Sequence, residues 1–144
     1  MNPLRLVSER EPNPADLEIV KQGLYAFNMR TMHDEHFLDI AIFLRDEANA
    51  IQGGILGTVW ANWFHLEFLW IDEAYRHQGY GDQLFDAAEA EARAFGGISA
   101  YVETFSFQAR PFYERHGYQV VGAINNYPTG QTYYLLSKSL NDEA

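Results

Sequence analysis

The hexapeptide Arg76-His77-Gln78-Gly79-Tyr80-Gly81 constrains this chain more than any other segment, because of what stands on either side of it. A largely apolar run, Leu66-Glu67-Phe68-Leu69-Trp70-Ile71, precedes it, and apolar residues at helical spacing, Leu84, Phe85, Ala88 and Ala92, follow. The order predicts strand, glycine turn, helix. Glycines let the backbone approach a ligand closely, and the unpaired N–H groups of a helix's first turn attract negative charge. The segment is therefore a candidate anion-binding loop. A dinucleotide fingerprint would need a third glycine where Leu84 stands, and a P-loop would need Gly-Lys-Ser/Thr, so neither common nucleotide motif fits.

With 144 residues the chain is expected to form one domain over residues 1–144, long enough for a proper core. Hydrophobic residues make up 47% and aromatic residues 15%, which marks it as globular rather than disordered. No apolar stretch approaches the ~20 residues that cross a bilayer, and Met1-Asn2-Pro3-Leu4-Arg5 has no signal-peptide core. The expectation is a cytoplasmic protein without a membrane partner. Twenty acids against 10 bases give a net charge of −10, which argues against nucleic acid and favours a cationic ligand. A polyanion would have to be held by local backbone dipoles. The absence of cysteine excludes disulfides, cysteine-based zinc sites and a cysteinyl acyl-enzyme.

Leu4 to Ser8 alternate and predict a first strand. Asn13-Pro14 opens a helix to about Arg30, with Asn13 as N-cap and Leu17, Val20, Leu24 and Phe27 at helical spacing. Ile40 to Leu44 predict a strand, followed by one from Gly53 to Phe64 and one from Leu66 to Ile71, three antiparallel strands in series. A helix to about Phe95 ends at Gly96-Gly97, and Ile98–Phe105 predicts a strand parallel to Leu66–Ile71. A short helix from Gln108 to His116 and two closing strands, Tyr118–Ala123 and Thr132–Ser137, complete a mixed α/β sheet with helices on both faces.

Two more segments extend the pattern. Leu69-Trp70-Ile71-Asp72-Glu73-Ala74-Tyr75-Arg76 carries a strand end into the glycine motif, and Ala109-Arg110-Pro111-Phe112-Tyr113-Glu114-Arg115-His116-Gly117-Tyr118 follows about 30 residues later. Together they resemble the R/Q-x-x-G-x-G/A loop and the A-x-x-[LF]-Y-x-[KR]-x-G-[FY] signature of the GNAT superfamily of acyl-CoA N-acyltransferases. The resemblance covers about Gly53 to Gly122, and the first forty residues agree only in element order. It implies a mostly antiparallel sheet with one splayed parallel pair, and acetyl-CoA as cosubstrate. The pantetheine arm would pair with the backbone of Leu69, Trp70 and Ile71. The pyrophosphate would sit on the N–H groups of His77, Gln78, Gly79, Tyr80 and Gly81, with Arg76 shaping the loop. Ser106, where the family often has asparagine, would bond the pantetheine. Asp82 departs from the family's small or neutral residue, and is expected to cap its helix or point to solvent.

Acetyl transfer to an amine needs the amine neutral and the leaving thiolate protonated. By alternation His65, Glu67, Leu69 and Ile71 share one strand face, and Glu67 is the anomaly, a carboxylate in an apolar run. Relatives carry their base at positions equivalent to Glu67 or His65, and burial would raise the Glu67 carboxyl toward a useful base. Tyr113 matches the tyrosine that serves the departing thiolate; its ordinary pKa of ~10 makes proton transfer to an alkyl thiolate nearly thermoneutral. Glu103, Trp60, Trp63 and Phe64 are candidates for an acceptor pocket. His33-Asp34-Glu35-His36 with Asp39 has the look of a metal site but no further ligand nearby, so no metal is expected. The leading function is N-acetylation of a primary amine on a small cationic molecule, by direct attack in a ternary complex. The alternatives are a protein lysine or N-terminal acetyltransferase, and a non-catalytic acyl-CoA sensor. The oligomeric state is open, a homodimer included.

Overall fold

The computed structural model describes residues 2–33 and 36–141, in two compact units, Met1–Glu35 and His36–Ala144. In the first unit, helix α1 runs Pro14–Met32, opened by the Asn13 carboxamide accepting the Ala15 N–H at 3.0 Å and closed by His33 in the left-handed region. The start follows from local chemistry, a polar N-cap followed by proline at the first turn. The strand expected at Leu4–Ser8 does not form. A strand exists only through ladder partners, and five alternating residues do not specify any.

The second unit is built on a six-stranded sheet in the order β1-β2-β3-β4-β6-β5. Its strands are β1 Phe37–Arg45, β2 Ile51–Trp60, β3 Trp63–Ile71, β4 Ser99–Phe105, β5 Gln119–Asn125 and β6 Thr132–Ser139. All pairs are antiparallel except β3 with β4, as expected. The turn between β2 and β3 lies at Ala61-Asn62, not after Phe64 as the sequence predicted. Both turn residues have positive φ, 50° and 66°, the conformation that matches strand twist in a two-residue hairpin. Without a glycine the turn gave no sequence signal. Asn62 also ties the hairpin down: its side chain donates to the Gly96 carbonyl at 2.9 Å, and its own carbonyl accepts the Ile98 N–H at 2.8 Å.

Helix α2, Tyr80–Ala94, buries Leu84, Phe85, Ala88 and Ala92, the i, i+4 stripe read from the sequence. They pack against Ile40, Ile55, Val59, Phe64, Leu66, Val102 and Leu136 from the sheet. The short helix α3, Arg110–Arg115, joins the same cluster through Phe112 and Tyr113, whose rings meet Phe85. Burying a side chain of that size is worth about 1.5–3 kcal/mol. Glu89, on the buried side of α2, is no error in this core. Its carboxylate accepts from the Tyr118 hydroxyl at 3.1 Å and from Lys138 at 2.9 and 3.0 Å, so the charge is paired and its lone pairs used.

The ladder between β2 and β3 slips at one place. Leu56 faces Phe68, but Gly57 faces Leu66, leaving Glu67 as the extra residue of a bulge. Phe64 and Leu66 face the helices before the slip, and Leu69 and Ile71 face them after it. The expected single face of His65, Glu67, Leu69 and Ile71 is therefore corrected: His65 and Glu67 lie on the face turned away from α2 and α3, while Leu69 and Ile71 pack against the core. Gly57 is what admits this arrangement. A Cβ there would lie 2.5 Å from the His65 carbonyl oxygen and collide with the Phe64 ring. Gly57→Ala is accordingly expected to cost about 1–3 kcal/mol, read as a lowered denaturation midpoint at constant m. Wild-type stability in that variant would mean the bulge relaxes freely.

Candidate active site

Strand β3 contributes to two hollows. The larger, about 610 Å³, is walled by Leu69, Trp70 and Ile71, by Arg76, His77, Gly79, Gly81 and Asp82, and by Ala109, Phe112 and Arg115. Its loop is shaped by local bonds. Asp72 caps a 3₁₀ turn at Glu73–Tyr75 by accepting the Ala74 N–H, and the Arg76 guanidinium donates to the Ile71 carbonyl at 2.9 Å, folding the loop back on the strand end. Gln78 donates to the Ala74 carbonyl at 3.3 Å. Gly79, at φ 84°, starts α2 without a side-chain cap. The N–H groups of the first turn are thus left for a ligand, beside the two guanidinium groups of Arg76 and Arg115. The pairing of β3 with β4 stops at Leu66 and Val102, so Leu69–Ile71 have no strand partner on that side, and the Ile71 carbonyl is taken by Arg76. A splayed strand leading to an uncapped helix start fits an extended arm ending in a diphosphate.

Asp82 neither caps its helix nor points freely to solvent. Its carboxylate lies 2.7 Å from His116 Nε2 and 3.2 Å from Arg115, and the hydrogen bond to His116, with Arg115 adding to it, holds it below the ordinary carboxylate range. A carboxylate beside an anion site is neutralised here by two cation-capable side chains from the end of α3. Tyr80 lines a small recess with Leu44, Arg45, Asp46, Gln52 and Tyr75. Ser106 stands apart from the cleft: its hydroxyl donates to Gln131 at 2.6 Å and accepts the Thr132 N–H at 2.9 Å, closing the end of the β4–β6 ladder.

The second hollow, about 400 Å³, opens on the other face of the sheet and is lined by Thr58, Trp60, Ala61, Trp63, His65, Glu67 and Tyr101. The expected burial of Glu67 is not found. The bulge turns it outward, and its side chain keeps 37% of its exposure while accepting the Thr58 hydroxyl at 2.9 Å. His65 stacks on Tyr101, with centroids 4.3 Å apart and planes within 7°. Its Nε2 is 2.7 Å from Glu103 and its Nδ1 4.0 Å from Glu67, so the imidazole stands between two carboxylates. Burial first, then Glu103 and Glu67, push the Tyr101 phenol above its ordinary pKa. Sequence alternation placed Tyr101 and Thr58 on strands but gave no sign that they meet Glu67; only the register does that.

Tyr113 is 6% exposed, its ring against Phe85, Phe112 and Tyr118. Burial pushes its phenol up to about 12. The expected thermoneutral proton transfer to a thiolate is therefore corrected: the phenol stays protonated and is suited to donating a hydrogen bond rather than releasing its proton. Among the described residues no group of three or more metal-ligating side chains forms; Asp34 and Glu35 of the His33–His36 cluster lie outside the described residues. No helix among the described residues is long and apolar enough to cross a membrane.

Comparison with known proteins agrees with this geometry. The profile of the Acetyltransferase (GNAT) family matches residues 7–118. A blasticidin-S acetyltransferase of Streptomyces morookaense is 43% identical over 101 residues, covering 69% of this chain and 74% of that protein. A crystal structure of an acetyltransferase from Bacillus cereus superposes with a TM-score of 0.84 at 31% identity, covering 92% of this chain and 97% of the other. A putative acetyltransferase from Agrobacterium tumefaciens gives 0.87 at 28% identity, over 94% and 99% of the two chains. The strand–glycine–helix cleft, the sheet with its splayed parallel pair and the profile match together place the chain in the GNAT acetyltransferase family, as an N-acetyltransferase that uses acetyl-CoA.

Proposed function

We propose that the chain transfers the acetyl group of acetyl-CoA to a primary amine on a small cationic molecule, by direct attack within a ternary complex. The observation that carries this is the placement of both hollows on one strand. β3 lends the edge at Leu69–Ile71 that β4 leaves unpaired to the cleft, and its Glu67 and His65 side chains to the hollow on the other face. Acetyl-CoA supplies the activated acetyl group; the chain's own residues bind, orient and move protons. The loop from Arg76 to Gly81 holds the diphosphate with N–H groups, and Arg115 adds a charge. Glu67, directly or through water, takes the proton of the acceptor ammonium, which has no lone pair until it is lost. Tyr113 donates a hydrogen bond to the sulfur as negative charge develops there. A hollow of about 400 Å³ is the size of a small-molecule site, and the Streptomyces relative is named for the acceptor blasticidin S, both of which favour a small molecule over a protein amine.

The test is thiol release from acetyl-CoA across a panel of amines, with Gly79→Val as control for the cleft. Valine at φ 84° is strained, and its side chain would enter a space where no protein atom lies within 4 Å of the added Cβ. Acetyl-CoA binding is expected to weaken at least about tenfold, roughly 1.4 kcal/mol, with the fold retained. Unchanged affinity in calorimetry would remove the loop from the cofactor site, and a panel without a substrate would remove the small-amine acceptor.

A further inference from the structure

We infer that the acceptor carries a second positive group besides the amine that reacts, and that the aromatic hollow on the sheet face turned away from α2 and α3 holds it. The inference rests on the proposed acetylation of a small cationic amine and specifies its kind. The walls come first. Trp60 and Trp63 face each other across the β2–β3 register and remain 43% and 41% exposed, and Tyr101 closes a third side with its edge against Trp63. Indole faces are the best aromatic hosts for an organic cation. No lysine or arginine lines the hollow, so no positive side chain already fills it.

Its polar groups call for more positive charge than one reacting amine provides. The Thr58 hydroxyl lies 2.9 Å from Glu67 Oε1 and 3.2 Å from Asp39 Oδ1. A hydroxyl has one proton, so it serves one of these carboxylates at a time and leaves the other, the exposed Asp39 when Glu67 is served, to water or a ligand. The His65 imidazole has its Nε2 2.7 Å from Glu103 and its Nδ1 4.0 Å from Glu67. When the reacting ammonium gives its proton to Glu67, the amine becomes neutral, Glu67 becomes neutral, and Asp39 keeps its charge. A single-amine acceptor therefore offers Asp39 no cation at the moment of attack and leaves its charge to water. An ammonium or guanidinium elsewhere on the acceptor, lying on the Trp60 and Trp63 faces beside Asp39, compensates it.

The experiment compares three acceptors of equal chain length: 1-aminopentane, 1,5-diaminopentane and 5-aminopentanoate, which place nothing, a positive and a negative charge at the far end. With the wild-type protein, kcat/KM is expected to be at least about tenfold higher for the diamine than for the monoamine, carried by KM, and lowest for the amino acid. Salt should shrink the spread, because the hollow is open to solvent. In Asp39→Asn, an isosteric change at an exposed position, the diamine-to-monoamine ratio should fall toward one; Trp63→Leu should lower the same ratio from the aromatic side. Equal kcat/KM for diamine and monoamine in the wild type, with both turned over, overturns the second charge and leaves the small-amine function standing. A diamine preference untouched by Asp39→Asn overturns its placement in this hollow. If none of the three is acetylated and the amine panel yields only acceptors without a second positive group, the second charge fails and the small-amine function stands; if the panel yields no acceptor, both fail.

Discussion

Glu67→Gln is expected to lower kcat by about 10²–10⁴-fold, the usual worth of a positioned general base, while acetyl-CoA affinity stays where it was. An amide cannot accept the proton an ammonium must lose, yet it keeps the shape of the carboxylate, and its oxygen can still take the Thr58 hydroxyl now held at 2.9 Å. Fold and cofactor cleft should be indifferent, since Glu67 is outside the core cluster and does not line the cleft. The loss has a pH signature. Neutral amine becomes more abundant as pH rises, so the gap between variant and wild type should narrow from about pH 7 to about pH 10. A gap constant over that range would assign Glu67 to binding. The competing assignment is equally sharp: a crippled His65→Ala beside an active Glu67→Gln would make His65, with Glu103 2.7 Å from its Nε2, the base.

Tyr113→Phe is expected to lower kcat by about 10²–10³-fold, the cost of removing one donor aimed at developing charge. Phenylalanine retains the ring contacts with Phe85, Phe112 and Tyr118, and the hydroxyl makes no hydrogen bond to a described protein group, so the melting temperature should hardly move. With the phenol pushed up to about 12, its neutral, donating form persists through the alkaline range. The wild-type kcat should therefore show no descending limb from this group below about pH 11. A near-normal kcat in the variant, in a regime where chemistry limits turnover, would take Tyr113 out of the mechanism. A collapse in stability would make the hydroxyl structural.

What could be read from the sequence was what neighbours along the chain decide. The glycine loop, the Asn13-Pro14 helix start, the buried stripe of α2 and the parallel strand after it are all local or periodic signals, and each stands where expected. What escaped depends on residues far apart. The bulge that turns Glu67 outward is made by Gly57 on the partner strand, and a period-two pattern has no means of announcing an extra residue. The Ala61-Asn62 turn lacked a glycine to mark it. Asp82 found its partners more than thirty positions away in Arg115 and His116, and Ser106 was claimed by Gln131 and Thr132 across a ladder. Glu67 and His65 thus stand on the strand where their neighbours in the chain put them, while their surroundings, open rather than buried, were not legible from it.

On the proposed function, the slip at Glu67 separates two jobs that share one strand. Before it, side chains on the face turned away from α2 meet the acceptor hollow; after it, the strand offers the cleft backbone groups that every residue type possesses. A change of clientele then demands no rebuilding of the machinery that grips the donor. Combinatorial libraries restricted to Trp60, Trp63 and Tyr101 should yield enzymes with altered amine preference and an unaltered KM for acetyl-CoA, whereas substitutions at Gly57 would disturb both at once by erasing the slip. On that reading one glycine is the partition between a fixed donor half and a variable acceptor half.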